Sequence, residues 1–263
     1  MMKLDLFQVD TFTDKVFCGN SAAVCVLDHW LSDDLMQKIA MENALAETAF
    51  VVGSGSNFEI RWFTPEIEMD LCGHATLAAA HVLKEHKNLT DKEICFSSNS
   101  GDLNVRFEDG LIHLDFPSRM PQPAEAPTEI IEAICCQPLA VYKSRDYMLV
   151  LESEEQVRNL KVNKGLLDRI NLDPGGVIVT AKGNDVDFVS RFFTPQASIL
   201  EDPVTGSAHC SLIPFWSEKL GKDTLVAKQL SDRLGTLYCQ NNGERVIISG
   251  KAVTYMGGVI SIE

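Results

Sequence analysis

FEIRWFTP at 58–65 returns as FVSRFFTP at 188–195, with Arg, Phe, Thr and Pro repeated at an offset of 130 residues. C-G-H-A (72–75) is echoed by T-G-S-A (205–208) at an offset of 133. SGDLNVRFEDGLIHL (100–114) resembles LGTLYCQNNGERVII (234–248) at 133 to 134. Strand–turn–strand segments resemble one another through composition alone. That does not reproduce an ordered R-x-F-T-P followed by a glycine-bearing turn. Three matches in one order, at nearly one offset, divide the chain into two homologous halves. The fold expected is α+β, two pseudo-symmetric lobes with a cleft between them.

Local signals fill in each half. Leu4–Thr11 alternates as a strand, and 18–27 reads as a turn followed by an apolar strand. Ser32 followed by two acids starts a helix. Thr48–Val52 and Asn57–Phe63 are strands joined across the Gly/Ser turn 53–56, and Gly73 opens a helix. The segments 93–97, 102–107 and 111–116 form a strand and a hairpin turning at Asp109-Gly110. The second half carries a short helix from Thr128, the segment YMLVLES (147–153), a helix over about 154–169, and strands at 176–181 and 187–193. A helix from about 206 and a closing hairpin complete it. PSRMPQPAEAP (117–127) holds four prolines in eleven residues. The boundaries expected are an N-terminal lobe 1–117, a linker 118–127 and a C-terminal lobe 128–263, with a terminal strand able to cross to the other lobe.

Composition narrows the class of function. The 263 residues are 45% hydrophobic with a net charge of −14, the balance of a globular chain rather than a disordered one. So acidic a surface repels phosphate backbones, so nucleic acid is not an expected partner. No apolar run approaches the roughly 18–20 residues of a membrane span, and the N-terminus lacks the signature of a signal peptide. The eight cysteines include no C-x-x-C pair, which argues against zinc ribbons and thioredoxin-like sites. Free, mostly buried thiols in a cytoplasmic protein are expected, with Cys135-Cys136 buried in a short helix.

The chemistry-bearing candidates sit on the repeated loops D70-L-C-G-H-A-T76 and E201-D-P-V-T-G-S-A-H209. Each stands between a strand and a helix start. The free N–H groups of such a start attract an anion, so Gly73 and Gly206 are candidates for holding a carboxylate. Both motifs also make ordinary helix caps, and only their repetition at symmetric positions favours function. His74, beside a helix N-terminus, is expected to be neutral. Ser207 and Asp202 are the polar groups of the second loop. Glu47 lies among small and apolar residues in A-L-A-E-T-A-F-V, where a partly desolvated carboxylate suits general acid/base work. Glu42 and Glu66 read as solvated. His81 and His86 lack an acidic or cysteine partner at ligand spacing, so no metal is expected.

The segments D-x-F-T…F-x-G-N-x-A-A-V, L-x-E-T-A-F, R-x-F-T-P…D-L-C-G-H-A-T-L-A-A-A and E-D-P-V-T-G-S-A together resemble the phenazine-biosynthesis PhzF-like proteins, over nearly the whole chain. The resemblance implies the diaminopimelate-epimerase fold: two lobes, each a barrel-like, mostly antiparallel sheet around a central helix. It implies a cofactor-independent isomerase, a homodimer, acting on a small carboxylate-bearing substrate in the cleft between lobes. Glu47 would be the general acid/base, with His74 and Asp202 as further catalytic residues. Gly73, Gly206 and Ser207 would bind substrate. In the phenazine enzyme the reaction moves a proton and a double bond on dihydro-3-hydroxyanthranilate; that substrate does not carry over with the residues. A thiol-dependent amino-acid epimerase of the same fold is the rival reading. It needs two cysteines, and here Cys72 matches the first while Asp202 stands in the position of the second. A non-enzymatic member would be expected to have lost this polar set.

Overall fold

The computed structural model describes residues 2–172 and 175–262. Its first half runs β1 (Met2–Thr11), β2 (Asn20–Leu27), α1 (Asp33–Asn43), β3 (Glu47–Ser54), β4 (Asn57–Phe63), β5 (Glu68–Met69), α2 (Gly73–His86), β6 (Glu93–Ser98), β7 (Gly101–Glu108) and β8 (Leu111–Pro117). Then come β9 (Gln122–Pro123), α3 (Thr128–Ile134), β10 (Ala140–Lys143), β11 (Tyr147–Val150), α4 (Glu154–Asn159), α5 (Lys164–Leu167), β12 (Val177–Lys182) and β13 (Phe188–Phe193). β14 (Glu201–Asp202), α6 (Gly206–Leu220), β15 (Thr224–Gln229), β16 (Gly235–Asn241), β17 (Arg245–Gly250) and β18 (Ala252–Ile262) complete the chain. Two compact units result. One holds the residues up to Asp115 and those from Ser249 onward, the other Phe116–Ile248.

In the first unit, β2 and β3 are parallel and joined by α1, and β3 and β4 form an antiparallel hairpin. β4 pairs antiparallel with β5 and parallel with β6, with α2 as the connection. β6, β7 and β8 then meander antiparallel. Local chemistry accounts for the breaks. Ser32 accepts from the Leu35 N–H and caps α1, which ends where Ala44 turns left-handed at φ 51°. Asp109 and Gly110 both have positive φ, the requirement of the tightest hairpin turn. α2 is buried nearly all round: every residue from His74 to Ala80 is inside, so it is the helix the sheet wraps. The run Ala78-Ala79-Ala80 keeps it slim enough for strands to pack close.

The second unit repeats the plan. β11 and β12 are parallel, β12 and β13 antiparallel. β13 pairs antiparallel with β14 and parallel with β15 through α6, and β15 and β16 form a hairpin. α6 is again the buried central helix, and it contains Pro214. A proline there cannot donate to the carbonyl of Cys210. The backbone N–H of Arg119 takes that carbonyl instead, at 2.9 Å. The repeat extends to side chains. Arg61 forks onto Glu68 and Arg191 onto Glu201, every N–O distance 2.7 Å, and each guanidinium also lies over the phenylalanine two residues on.

Several local expectations need correcting. The helix expected over about 154–169 is two short helices, because the Asn163 side chain caps a new start by accepting from Leu166 N–H. Cys135 is exposed at the left-handed end of α3 and Cys136 half-buried, not both inside a helix. All eight thiols are free, but only Cys25, Cys72, Cys210 and Cys239 are buried. Within the proline-rich 118–127, β9 pairs with β10. The terminal strand, which the sequence leaves able to cross, is β18: it runs antiparallel to β1 from Met2↔Ile262 to Thr11↔Ala252 and lies in the first unit. Among the described residues no helix is long and apolar enough to cross a membrane.

Candidate active site

In the first unit, Glu47 opens β3 and pairs in register with Ala22. Gly73 is the first residue of α2, and Cys72 caps it with extended backbone. The Cys72 side chain makes no capping bond. Its Sγ instead lies 3.4 Å from His74 Nδ1. The other ring nitrogen, Nε2, faces Glu47 Oε2 at 3.0 Å. His74 is 5% exposed and Glu47 16%. Both atoms are buried, and among the described residues neither has a hydrogen-bond partner apart from the other. The two buried atoms satisfy each other, and a carboxylate and an imidazole are the side chains that most often exchange protons in catalysis.

The charge state of His74 corrects the sequence expectation. Burial works against the imidazolium, but Cys72 and Glu47 outweigh it and hold the ring well above its ordinary 6.5. Burial also raises the Cys72 thiol, reinforced by the Glu47 charge. The Glu47 carboxylate at 3.0 Å and the Cys72 contact at 3.4 Å together oppose the helix dipole, which alone would favour the neutral ring.

In the second unit, Asp202 lies on β14 and Gly206 opens α6 with Ser207 as its second residue. The Thr205 hydroxyl donates to Asp202 Oδ2 at 2.6 Å. Gln229, wholly buried on β15, accepts from Thr205 N–H at 2.9 Å and donates to the Asp202 carbonyl at 2.8 Å and to Thr205 Oγ1 at 3.1 Å. Ser231 holds the Pro203 carbonyl at 2.9 Å. The loop is therefore fixed on both sides. Ser207 Oγ accepts a hydrogen bond from Arg145 at 2.9 Å. Sequence reasoning missed Gln229 and Arg145, which lie 24 and 62 residues from their partners. It missed the contact of Cys72 with His74 too, though the C-x-H spacing at a helix start was a usable signal.

Among the described residues one group combines metal-ligand types: Glu47, Cys72 and His74, whose donor atoms lie within 4.8 Å of one another. Carboxylate, thiolate and imidazole are zinc ligands by type. Here the thiol and the carboxylate address opposite nitrogens of one ring, an arrangement that serves proton exchange through the imidazole more directly than joint coordination of one ion.

Two like units, each a mostly antiparallel sheet wrapped on a buried helix that begins at a glycine, define the diaminopimelate-epimerase-like fold. The sequence pattern of the phenazine biosynthesis-like protein (PhzC-PhzF) family matches residues 9–258. Two uncharacterized isomerases of Pseudomonas aeruginosa are 50% and 47% identical to this chain, each match covering 99% of it and 100% of the relative. The crystal structure of a PhzF family protein from Enterococcus faecalis is 44% identical, with a TM-score of 0.95 over 99% of this chain and 100% of that one. The chain belongs to the phenazine biosynthesis-like family, as an isomerase of PhzF type.

Proposed function

We propose that the protein is a cofactor-independent isomerase that moves a proton on a small carboxylate-bearing substrate, with Glu47 as general acid/base. The observation that carries this reading is the contact of Glu47 Oε2 with His74 Nε2, both atoms buried. Glu47 removes a proton next to the carboxylate and returns it elsewhere. His74, charged while Glu47 is ionised, steadies the carboxylate before it takes the proton. Asp202, fixed by Thr205 and Gln229, is the further catalytic residue, and Gly73, Gly206 and Ser207 bind substrate through N–H and O–H donors. A developing enolate is the kind of charge such donors stabilise. By the same family resemblance the enzyme works in the cytoplasm as a homodimer.

The test is a panel of small unsaturated and α-chiral carboxylates incubated with the enzyme in deuterated water. Deuterium in a recovered compound, lost in Glu47→Gln with the fold intact, supports the reading. Deuterium incorporation that survives Glu47→Gln refutes it. A thiol-dependent epimerase is the second reading, favoured by Cys72 at His74. It is disfavoured by the raised Cys72 thiol, which is not a thiolate at neutral pH, and by Asp202 in the place of a second cysteine.

A further inference from the structure

We propose that Arg145, locked by Asp146, positions the Ser207 hydroxyl as a hydrogen-bond donor reserved for an anion, so that Arg145 determines the preference for a carboxylate over its neutral amide. The inference rests on the reading of Ser207 as a substrate-binding residue and adds a residue that reading does not contain.

Ser144-Arg145-Asp146 is the turn between β10 and β11, a segment outside the repeated motifs. Asp146 is 1% exposed, and its Oδ1 accepts the Gly176 N–H at 2.9 Å. Arg145 meets the same carboxylate through Nε at 3.2 Å and through Nη2 at 3.1 and 3.2 Å. A carboxylate this deeply buried holds its cation firmly, since an uncompensated charge there is strongly unfavourable. Arg145 is thus fixed from behind while its own side chain remains 31% exposed. From that position Nη2 donates to Ser207 Oγ at 2.9 Å. A serine hydroxyl has one proton and two lone pairs. With one lone pair taken by a guanidinium, the proton is turned away from Arg145, and the adjacent cation makes it a stronger donor. Ser144 and Ser211 share a hydrogen bond at 2.7 Å, which ties the turn to the next turn of α6.

An anion that accepts from the Ser207 hydroxyl gains from the Arg145 guanidinium, whose Nη2 lies 2.9 Å behind that oxygen. A neutral amide oxygen accepts the same hydrogen bond without the charge attraction.

The experiment compares binding of anthranilate, an unreactive cyclic amino-carboxylate, with 2-aminobenzamide, by calorimetry on the full-length protein. A hydrogen bond to a charged group is worth about 10- to 100-fold in affinity. Wild type is expected to favour the acid, and Arg145→Met to lose about that factor for the acid while leaving the amide unchanged. Ser207→Ala should lose as much, the double variant no more than Ser207→Ala alone, and Arg145→Lys should recover part of the loss. Because Arg145→Met strands Asp146, Arg145→Met/Asp146→Asn is measured beside it, with melting temperatures for all variants. Wild-type acid preference in a folded Arg145 variant, or losses that multiply in the double variant, overturn the Arg145 assignment alone. No acid binding by wild type, or an unaffected Ser207→Ala, overturns the reading of Ser207 and the assignment with it.

Discussion

Cys72 Sγ lies 3.4 Å from Nδ1 of His74, while Nε2 of the same ring faces Glu47 at 3.0 Å. One imidazole is thus addressed by a thiol and a carboxylate, and substitution separates their roles. Glu47→Gln should reduce deuterium incorporation into the same substrate by about 10²–10⁴-fold, the usual contribution of a general acid/base. Cys72→Ala should stay within about tenfold of wild type. The opposite ranking, in variants shown to be folded by circular dichroism, would install the thiol mechanism.

His74 should titrate above 6.5, and nuclear magnetic resonance of its ring can follow this. Removing the carboxylate charge in Glu47→Gln should lower the midpoint. The stability linked to this raised value is fully present below about pH 6.5 and is lost as pH rises through the native midpoint. Denaturant midpoints of wild type should therefore fall relative to Glu47→Gln above that pH. An unchanged ring midpoint in the variant would show that Glu47 does not hold the proton on His74.

His209 behaves in the opposite sense. It is wholly buried, Nδ1 donates to the Thr205 carbonyl at 2.8 Å, and burial lowers its value to about 4. The unfolded chain takes up this proton near pH 6.5, the native state only near 4. Stability should decline as pH falls through that window, by about 3 kcal/mol for this group. His209→Gln should flatten the decline in urea midpoints between pH 7 and 4. An equal decline in the variant would assign it to other groups.

The two arginine forks should differ in strength. Arg191 is 12% exposed, and its third nitrogen serves the carbonyls of Leu160 at 2.7 Å and Val157 at 3.3 Å. Arg61 is 22% exposed, and its third nitrogen reaches Asp33, a side chain 77% exposed. Arg191→Met should destabilise by about 3 kcal/mol, as for a broken buried pair. Arg61→Met should cost about 1 kcal/mol. Equal shifts in unfolding midpoint would contradict this ranking.

The sequence carried the fold where the signal was local or repeated. R-x-F-T-P and the glycine loops announced both units, and Asp109-Gly110 and Ser32 marked a turn and a cap that the backbone adopts. It was silent where pairing joins distant segments. Nothing in KLDLFQV names VTYMGGVIS as its neighbour, since an alternating strand accepts any partner of matching pattern. The site was legible in the same uneven way. Gly73, His74, Gly206 and Ser207 stood out by symmetry, and Glu47 by its apolar setting. Gln229 and Arg145 carry no motif, because what they do depends on tertiary placement alone. The protonation of His74 was misread because the helix terminus was visible in the sequence and the facing carboxylate was not.

The pairing of β1 with β18 imposes an order on biosynthesis. Residues 2–11 leave the ribosome some 240 residues ahead of their partners at 252–262. At about 5–20 residues per second, β1 waits roughly 10–50 s with that edge unsatisfied. The unit at 116–248 is contiguous and can finish during that interval. The nascent protein therefore completes its later-made half before its earlier one, and an exposed, pairing-competent strand near the N-terminus is the segment a holding chaperone would have to shield.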